Sequence, residues 1–439
     1  MSPCMKKIRT GRPDSSDNAS GTGRPREKDV AIDLLMAVLG GRRDEVPSGR
    51  LQDLPAETWH AFVEEANRHR VTPLLYHYLS ASADAKLIPG PVLQTMRKAY
   101  YLTLARNMLL FDGLKKALAA LKSAGIPAVP LKGAHLALAV YKDIGLRPMS
   151  DIDLLLRSRD LDQAVPALAE AGFLPARKFF IDDQVLLHQH LTPLQSKEGV
   201  VLELHWNISN PLASHPIMPE ELWERAEVRQ VDGMDLLLLC PEDLLIHICL
   251  HAARHRFNFG LLHLADITEI LVRHGETLDW DRLCLTAQKW QATRTVYLCL
   301  LLAKDLLGAA VSEALLERFR PAHAEPQLMA WARELVREGC FNTVPMTFSL
   351  PQVMAVRTLG GRIRKLLQIL LPAKKVLAMQ YCVRSDSPLL YFYYIKRLKD
   401  IFARHTGTVL RLTLKEKKTT EKYDLVSKGN AVYEWLSGA

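Results

Sequence analysis

The stretch LRPMSDIDLLL, residues 146–156, places two aspartates one residue apart just ahead of a run of leucines. Ile152, Leu154, Leu155 and Leu156 form a short, continuously apolar run, which suits a strand covered on both faces. Side chains alternate along a strand, so Asp151 and Asp153 point to one side and Ile152 to the other. Two carboxylates side by side repel, and a buried charge needs a partner. A divalent metal would supply one. The plainer alternative is that Asp151 caps a turn and Asp153 is simply exposed.

Working outward, the hydrophobic period alternates between strand-like and helix-like. IPAVPL (126–131) reads as a strand, GAHLALAVYKD (133–143) as a helix, and DLDQAVPALAEAG (160–172) as a second helix with Asp160 or Asp162 near its start. HLTPLQSKEGVVLELHWNI (190–208) reads as two strands around a turn at Lys197, Glu198 and Gly199. This order describes a small mixed sheet with helices against it. Helical patterns flank it on both sides, giving an α+β protein whose sheet core is embedded in a largely helical chain. The expected divisions are a disordered basic arm over 1–28, a helical region over 29–123, the α/β core over 124–235, a helical domain lining the cleft over 236–345, and a basic helical region over 346–439.

Composition narrows the class. The chain has 439 residues, enough for two or three domains, and a hydrophobic fraction of 48%. No window offers about twenty uninterrupted apolar residues, so no transmembrane segment is expected. The N-terminal sequence lacks the apolar stretch of a signal peptide. Seven scattered cysteines without a C-x-x-C pair argue against a disulfide framework or zinc ribbon and for a reducing cytoplasm. The net charge of +9 is concentrated in the arm and in the last eighty or so residues. It favours polyanionic partners, whether nucleotide, RNA or anionic lipid, although solvated helix faces explain many such runs.

Three further elements bear on chemistry. In PLKGAHLAL (130–138) a strand ends, Lys132 and Gly133 follow, and a helix begins. A glycine there lets backbone amides approach a phosphate, and lysine adds a point charge. In VVLELHW (200–206), Val201, Glu203 and His205 share one face of a strand, so Glu203 brings a third carboxylate beside the aspartate pair. Two magnesium ions roughly 4 Å apart need bridging oxygens of this kind. Arg147, four residues ahead of Asp151, is placed for bidentate phosphate binding. Farther on, His247, His251 and His255 lie four apart on one helical face, with Asp266 beyond. They read as core histidines, as substrate contacts on the acceptor side together with His205, or as a metal site of their own.

Taken together, LKGAHLALAVYKDIGLRPMSDIDLLL and ELHW some fifty residues later closely resemble a bacterial nucleotidyltransferase family within the polymerase-beta-like superfamily. The resemblance is strongest from residue 126 to 206. It extends more loosely to HRVTPLLYHYL upstream and LLIHICLHAARHRFNFGLLHLADITEIL downstream. It implies a polymerase-beta-like core and magnesium-dependent transfer of a nucleoside monophosphate from a nucleoside triphosphate to a hydroxyl or phosphate acceptor. Asp151, Asp153 and Glu203 would then be catalytic carboxylates holding two Mg2+ ions, with Mn2+ as the alternative metal. Lys132, Gly133 and Arg147 would hold the nucleotide. The superfamily usually carries Gly-Ser where this chain has Lys132-Gly133, so the grip on phosphate must differ. The implied acceptor is a small metabolite, sugar or peptide. A toxin-like or RNA-modifying transferase and a non-catalytic nucleotide-binding scaffold are the alternatives.

In the basic C-terminal region, SPLLYFYYIKRLKDIFARH (387–405) interleaves aromatics with cations. Three readings stand: aromatics packed on the protein's own core, peripheral membrane contact, or RNA stacking.

Overall fold

The computed structural model describes residues 27–40, 51–52, 54–175, 181, 188–210, 215–339, 358–381, 383–413 and 417–438. The arm expected over 1–28 lies almost wholly outside them. Within them the chain is largely helical around a five-stranded mixed sheet, as the alternating periods predict.

The strands are β1 (Val129–Pro130), β2 (Ile152–Leu155), β3 (Leu174–Pro175), β4 (Leu194–Gln195) and β5 (Val201–His205), in the spatial order β1-β2-β5-β4-β3. β1 runs antiparallel to β2, and β2 runs parallel to β5. The β4–β5 hairpin turns where expected, with Gly199 at a φ of +81°, a left-handed conformation glycine adopts without steric cost. All four residues of β2 are buried, as its unbroken apolar run requires. A separate hairpin, β6 (Glu227–Val231) with β7 (Met234–Leu238), was not legible as such in the sequence reading.

The helix Leu161–Glu170 covers the sheet, burying Leu161, Ala164 and Leu168 at helical spacing. With Leu114, Leu121, Ile152, Leu154, Leu202 and Leu204 these form one apolar core. A larger core lies among the surrounding helices and takes in Leu131 and Leu155 from the other side of the sheet. The two β2 leucines therefore face opposite cores, and that two-sided burial pins the strand's register.

Helix Pro241–Arg254 and helix Leu261–His274 pack beside the sheet, and the C-terminal helix Lys417–Leu436 lies against the former. The aromatic-basic region divides. Tyr393 and Tyr394 pack with Leu377, Leu390 and Tyr381, as aromatics folded onto the protein should. Tyr391, Phe392 and Ile395 are instead more than 60% exposed.

Candidate metal centre and active-site cleft

Parallel pairing of β2 with β5 places Asp153 directly opposite Glu203, and Leu155 opposite His205. The register brings Asp153, Glu203 and His205 onto one side of the sheet. One ligand atom from each lies within 4.8 Å of the others, and among the described residues this is the one group of three or more such side chains that converges so closely. His205 Nε2 is 2.8 Å from Asp153 Oδ1 and 3.5 Å from Glu203 Oε2. Two carboxylates and an imidazole suit a divalent cation: the oxygens match Mg2+ or Mn2+, and the nitrogen leans toward the latter.

Asp153 is buried, which rules out the reading of it as an exposed turn residue. Burial alone would push its carboxyl up. The ammonium of Lys132 at 2.5 Å, together with His205, overrides this and holds it well below the usual carboxylate range. Glu203 is shifted down as well: burial opposes ionisation, but hydrogen bonding to His205 outweighs it. Asp151 behaves oppositely. Burial and the charge of Asp153 raise it, with Glu203 adding to the effect. Its Oδ1 accepts a hydrogen bond from Ser150 at 2.8 Å, and it lines the same cavity without entering the close group.

Lys132 is held at a φ of +45°, a left-handed conformation that costs a residue with a Cβ. That twist at the strand-to-helix junction delivers its ammonium to Asp153. Gly133 also sits where a side chain would be crowded. A Cβ there would lie 2.8 Å from Cγ and Sδ of Met149 and 3.1 Å from Nη1 of Arg147. The glycine makes room for the segment carrying the aspartates.

Arg147 is committed before any ligand arrives. Its Nε and Nη2 donate to the two oxygens of Asp266 at 3.2 and 2.8 Å, and Nη1 donates to the Pro148 carbonyl. Tyr141 donates its hydroxyl to Asp266 at 2.9 Å. Asp266 is fully buried and does not line the cavity, although Arg147 does. The pair braces the loop before β2, helped by Asn107, which donates to the carbonyls of Ile144 and Arg147.

The cavity over this centre measures about 250 Å3 and is lined by Lys132, Gly133, Arg147, Asp151, Asp153 and Glu203. Its far wall carries His251, His255 and His263 with Phe259. The His251 ring centroid is 4.6 Å from that of His255 and 4.9 Å from that of His263. Burial, reinforced by the other cationic or ionisable groups nearby, lowers all three, His255 to about 4. They face the cleft as neutral imidazoles. His247 is buried deeper on the same helix.

Sequence reasoning missed His190, His263 and Arg254, which also line this cavity. His190 bridges to His205 as an extra sheet residue, with ring centroids 5.0 Å apart. The H-x-H spacing of His188 and His190 was the available signal; for Arg254 there was none.

A family model described as an uncharacterised nucleotidyltransferase matches residues 55–308, which contain Asp153, Glu203 and His205 and both walls of this cleft. No curated protein and no solved structure matches the chain.

Proposed function

The chain belongs to this uncharacterised nucleotidyltransferase family, and from that premise we propose that the cleft moves a nucleoside monophosphate from a nucleoside triphosphate to a hydroxyl of a small acceptor, with magnesium required. The observation that carries this reading is the convergence of Asp153, Glu203 and His205, with Lys132 beside them, on one cavity wall.

Asp153 and Glu203 would hold the metal, with His205 and Asp151 completing its surroundings. A divalent ion bound there would neutralise charge building on the phosphate oxygens. Lys132 answers the missing serine of the superfamily. Its ammonium pairs with Asp153 on the cavity wall, and a bound triphosphate would offer it an alternative anion. The acceptor oxygen forms a bond to the α-phosphorus, the bond from that phosphorus to the β-bridging oxygen breaks, and pyrophosphate leaves. The hydroxyl proton passes to the Glu203 carboxylate. Positioning and charge stabilisation supply most of the acceleration, as for phosphoryl chemistry generally. Neutral His251, His255 and His263 offer hydrogen bonds without adding charge.

The test is magnesium-dependent binding of triphosphate, followed by incubation with α-labelled triphosphate and a metabolite extract. Label on a small molecule and release of pyrophosphate are expected. Magnesium-dependent binding with no labelled product would point to a nucleotide-binding scaffold, and label on RNA to the RNA-modifying alternative.

A further inference from the structure

Four cationic side chains line the cleft that holds Asp153 and Glu203: Arg70, Lys132, Arg147 and Arg254. Three of them already have partners. Lys132 pairs with Asp153 at 2.5 Å, Arg147 pairs with the buried Asp266 at 2.8 Å, and Arg70 lies over the Phe259 ring, 5.7 Å from its centroid. Arg254 differs. No nitrogen of its guanidinium comes within 4.0 Å of a carboxylate oxygen among the described residues. The residue is exposed, and it lines both the cleft and a cavity of about 280 Å3 that adjoins it, so its side chain is open to a ligand.

Other arginines show what is missing at this one. Desolvation lowers Arg147, Arg225 and Arg282, and in each a carboxylate in contact (Asp266, Asp243 and Glu242, respectively) more than offsets it. Arg254 ends up lowered. Desolvation outweighs the attraction of Tyr433, Glu203 and Asp153, which act on it from a distance. It nevertheless stays charged, as arginine does throughout the physiological range. Its place in the last turn of helix Pro241–Arg254 suits any cation. Its place on the cleft wall, with no anion of the protein's own against it, calls for an anion from outside.

We propose that Arg254 is the binding residue for the terminal phosphates of the triphosphate, holding β- and γ-phosphate oxygens while the α-phosphorus sits at Asp153 and Glu203. The assignment rests on the nucleotidyltransferase reading of the cleft. Lys132 must trade one anion for another when a triphosphate enters, whereas Arg254 gives up no ion pair and gains a full one. The planar fork of a guanidinium matches two phosphate oxygens at once. Arg254 shares the cavity with Asp153 and Glu203 yet stands beyond ion-pair reach of both, and a chain of phosphates running out from the metal-binding carboxylates would bridge that gap. When the bond from the α-phosphorus to the bridging oxygen breaks, negative charge gathers on the departing pyrophosphate, and the guanidinium beside it stabilises that charge.

The experiment titrates the full chain by calorimetry in magnesium, using ATP, GTP, CTP and UTP, the four matching monophosphates, and inorganic tripolyphosphate. Arg254→Gln should weaken the triphosphates and tripolyphosphate about tenfold or more and leave monophosphate affinity unchanged. Its melting temperature should match wild type, because an exposed side chain with no ion pair has little to lose. Arg254→Lys should restore part of the affinity, keeping the charge without the fork.

Equal triphosphate affinity in wild type and Arg254→Gln overturns the proposal. So does an equal loss for mono- and triphosphates, which would put the guanidinium at the α-phosphate, or a loss of affinity that only follows a fall in melting temperature. Binding of tripolyphosphate that depends on Arg254, with no binding of any nucleotide, would strike the transferase reading and leave the polyphosphate contact standing. A wild-type chain that binds neither triphosphates nor tripolyphosphate overturns both.

Discussion

Lys132 and Asp153 form a close ion pair: the ammonium lies 2.5 Å from Oδ1, the oxygen that His205 Nε2 also approaches. Asp153→Asn removes the charge that both neighbours face. It should abolish transfer and cost about 2 kcal/mol of stability, since a charged hydrogen-bond partner is lost in a buried setting. Asp151→Asn should also lose transfer but leave stability unchanged or slightly higher, because its carboxylate is raised by burial and by the charge of Asp153. Denaturant melts beside activity assays check the contrast. Equal destabilisation by both variants would contradict it.

The strained backbone of Lys132 separates two roles for that residue. Lys132→Ala removes the ammonium and keeps a Cβ at a φ of +45°. Lys132→Gly removes both and should melt higher, by about 1 kcal/mol of relieved strain. Both should lose triphosphate affinity by about tenfold or more, as expected for loss of a phosphate contact. Calorimetric titration at saturating magnesium reads the affinities.

For Arg147, stability is the sensitive quantity. Lysine cannot reproduce the two-pronged contact with Asp266, and the carboxylate is fully buried. Arg147→Lys should cost about 3 kcal/mol in a urea melt. Asp266→Asn in the same chain should restore part of that loss, because it removes the uncompensated charge.

Acid should weaken the fold through His69. Its Nδ1 accepts the Leu261 N–H at 3.2 Å, and its ring sits against Gly260 and Gly339 with no room for a Cβ at either. Burial, aided by Arg68 and Lys28, lowers it to about 4 from an ordinary 6.5, with Glu338 opposing. Since the folded pKa is the lower one, the unfolded chain takes up the proton first. Stability is full above pH 6.5, declines as pH falls, and stops declining from this source below about pH 4. The contribution is about 3 kcal/mol. His69→Asn, which keeps an acceptor for Leu261, should flatten the stability profile across that interval.

The C-terminal region should bind anionic vesicles. Leu359, Ile363, Leu367 and Leu371 form a stripe at four-residue spacing, each more than half exposed, and Tyr391, Phe392 and Ile395 are exposed too. Arg362, Arg364, Lys374 and Lys399 are interspersed with them. An apolar stripe flanked by cations matches an interfacial helix. Co-sedimentation with phosphatidylserine vesicles should fall when Ile363 and Leu367 are changed to Ser. Binding to neutral and anionic vesicles alike would refute the electrostatic part.

Local pattern alone settled much of this protein. The change of period around 126–208 placed the strands, and the alternation within DIDLLL and VVLELH put carboxylates on one face, because side-chain direction along a strand depends only on parity. What pattern could not supply was pairing. Parallel register between β2 and β5 decided that Asp153 meets Glu203 and His205, making His205 part of the close group and leaving Asp151 at its edge. Partner choice was likewise tertiary. The pairing of Arg147 with Asp266, 119 residues on, and the packing of Met149 against Gly133 could not be read from local spacing. A cavity adjoining the cleft was beyond any local reading, because its walls come from residues as far apart as Gln189, Thr295 and Tyr433. Contacts between residues so far apart in the chain arise only when separate helices pack. The sequence records which groups can ionise or hydrogen-bond, and folding decides which of them are left facing the ligand.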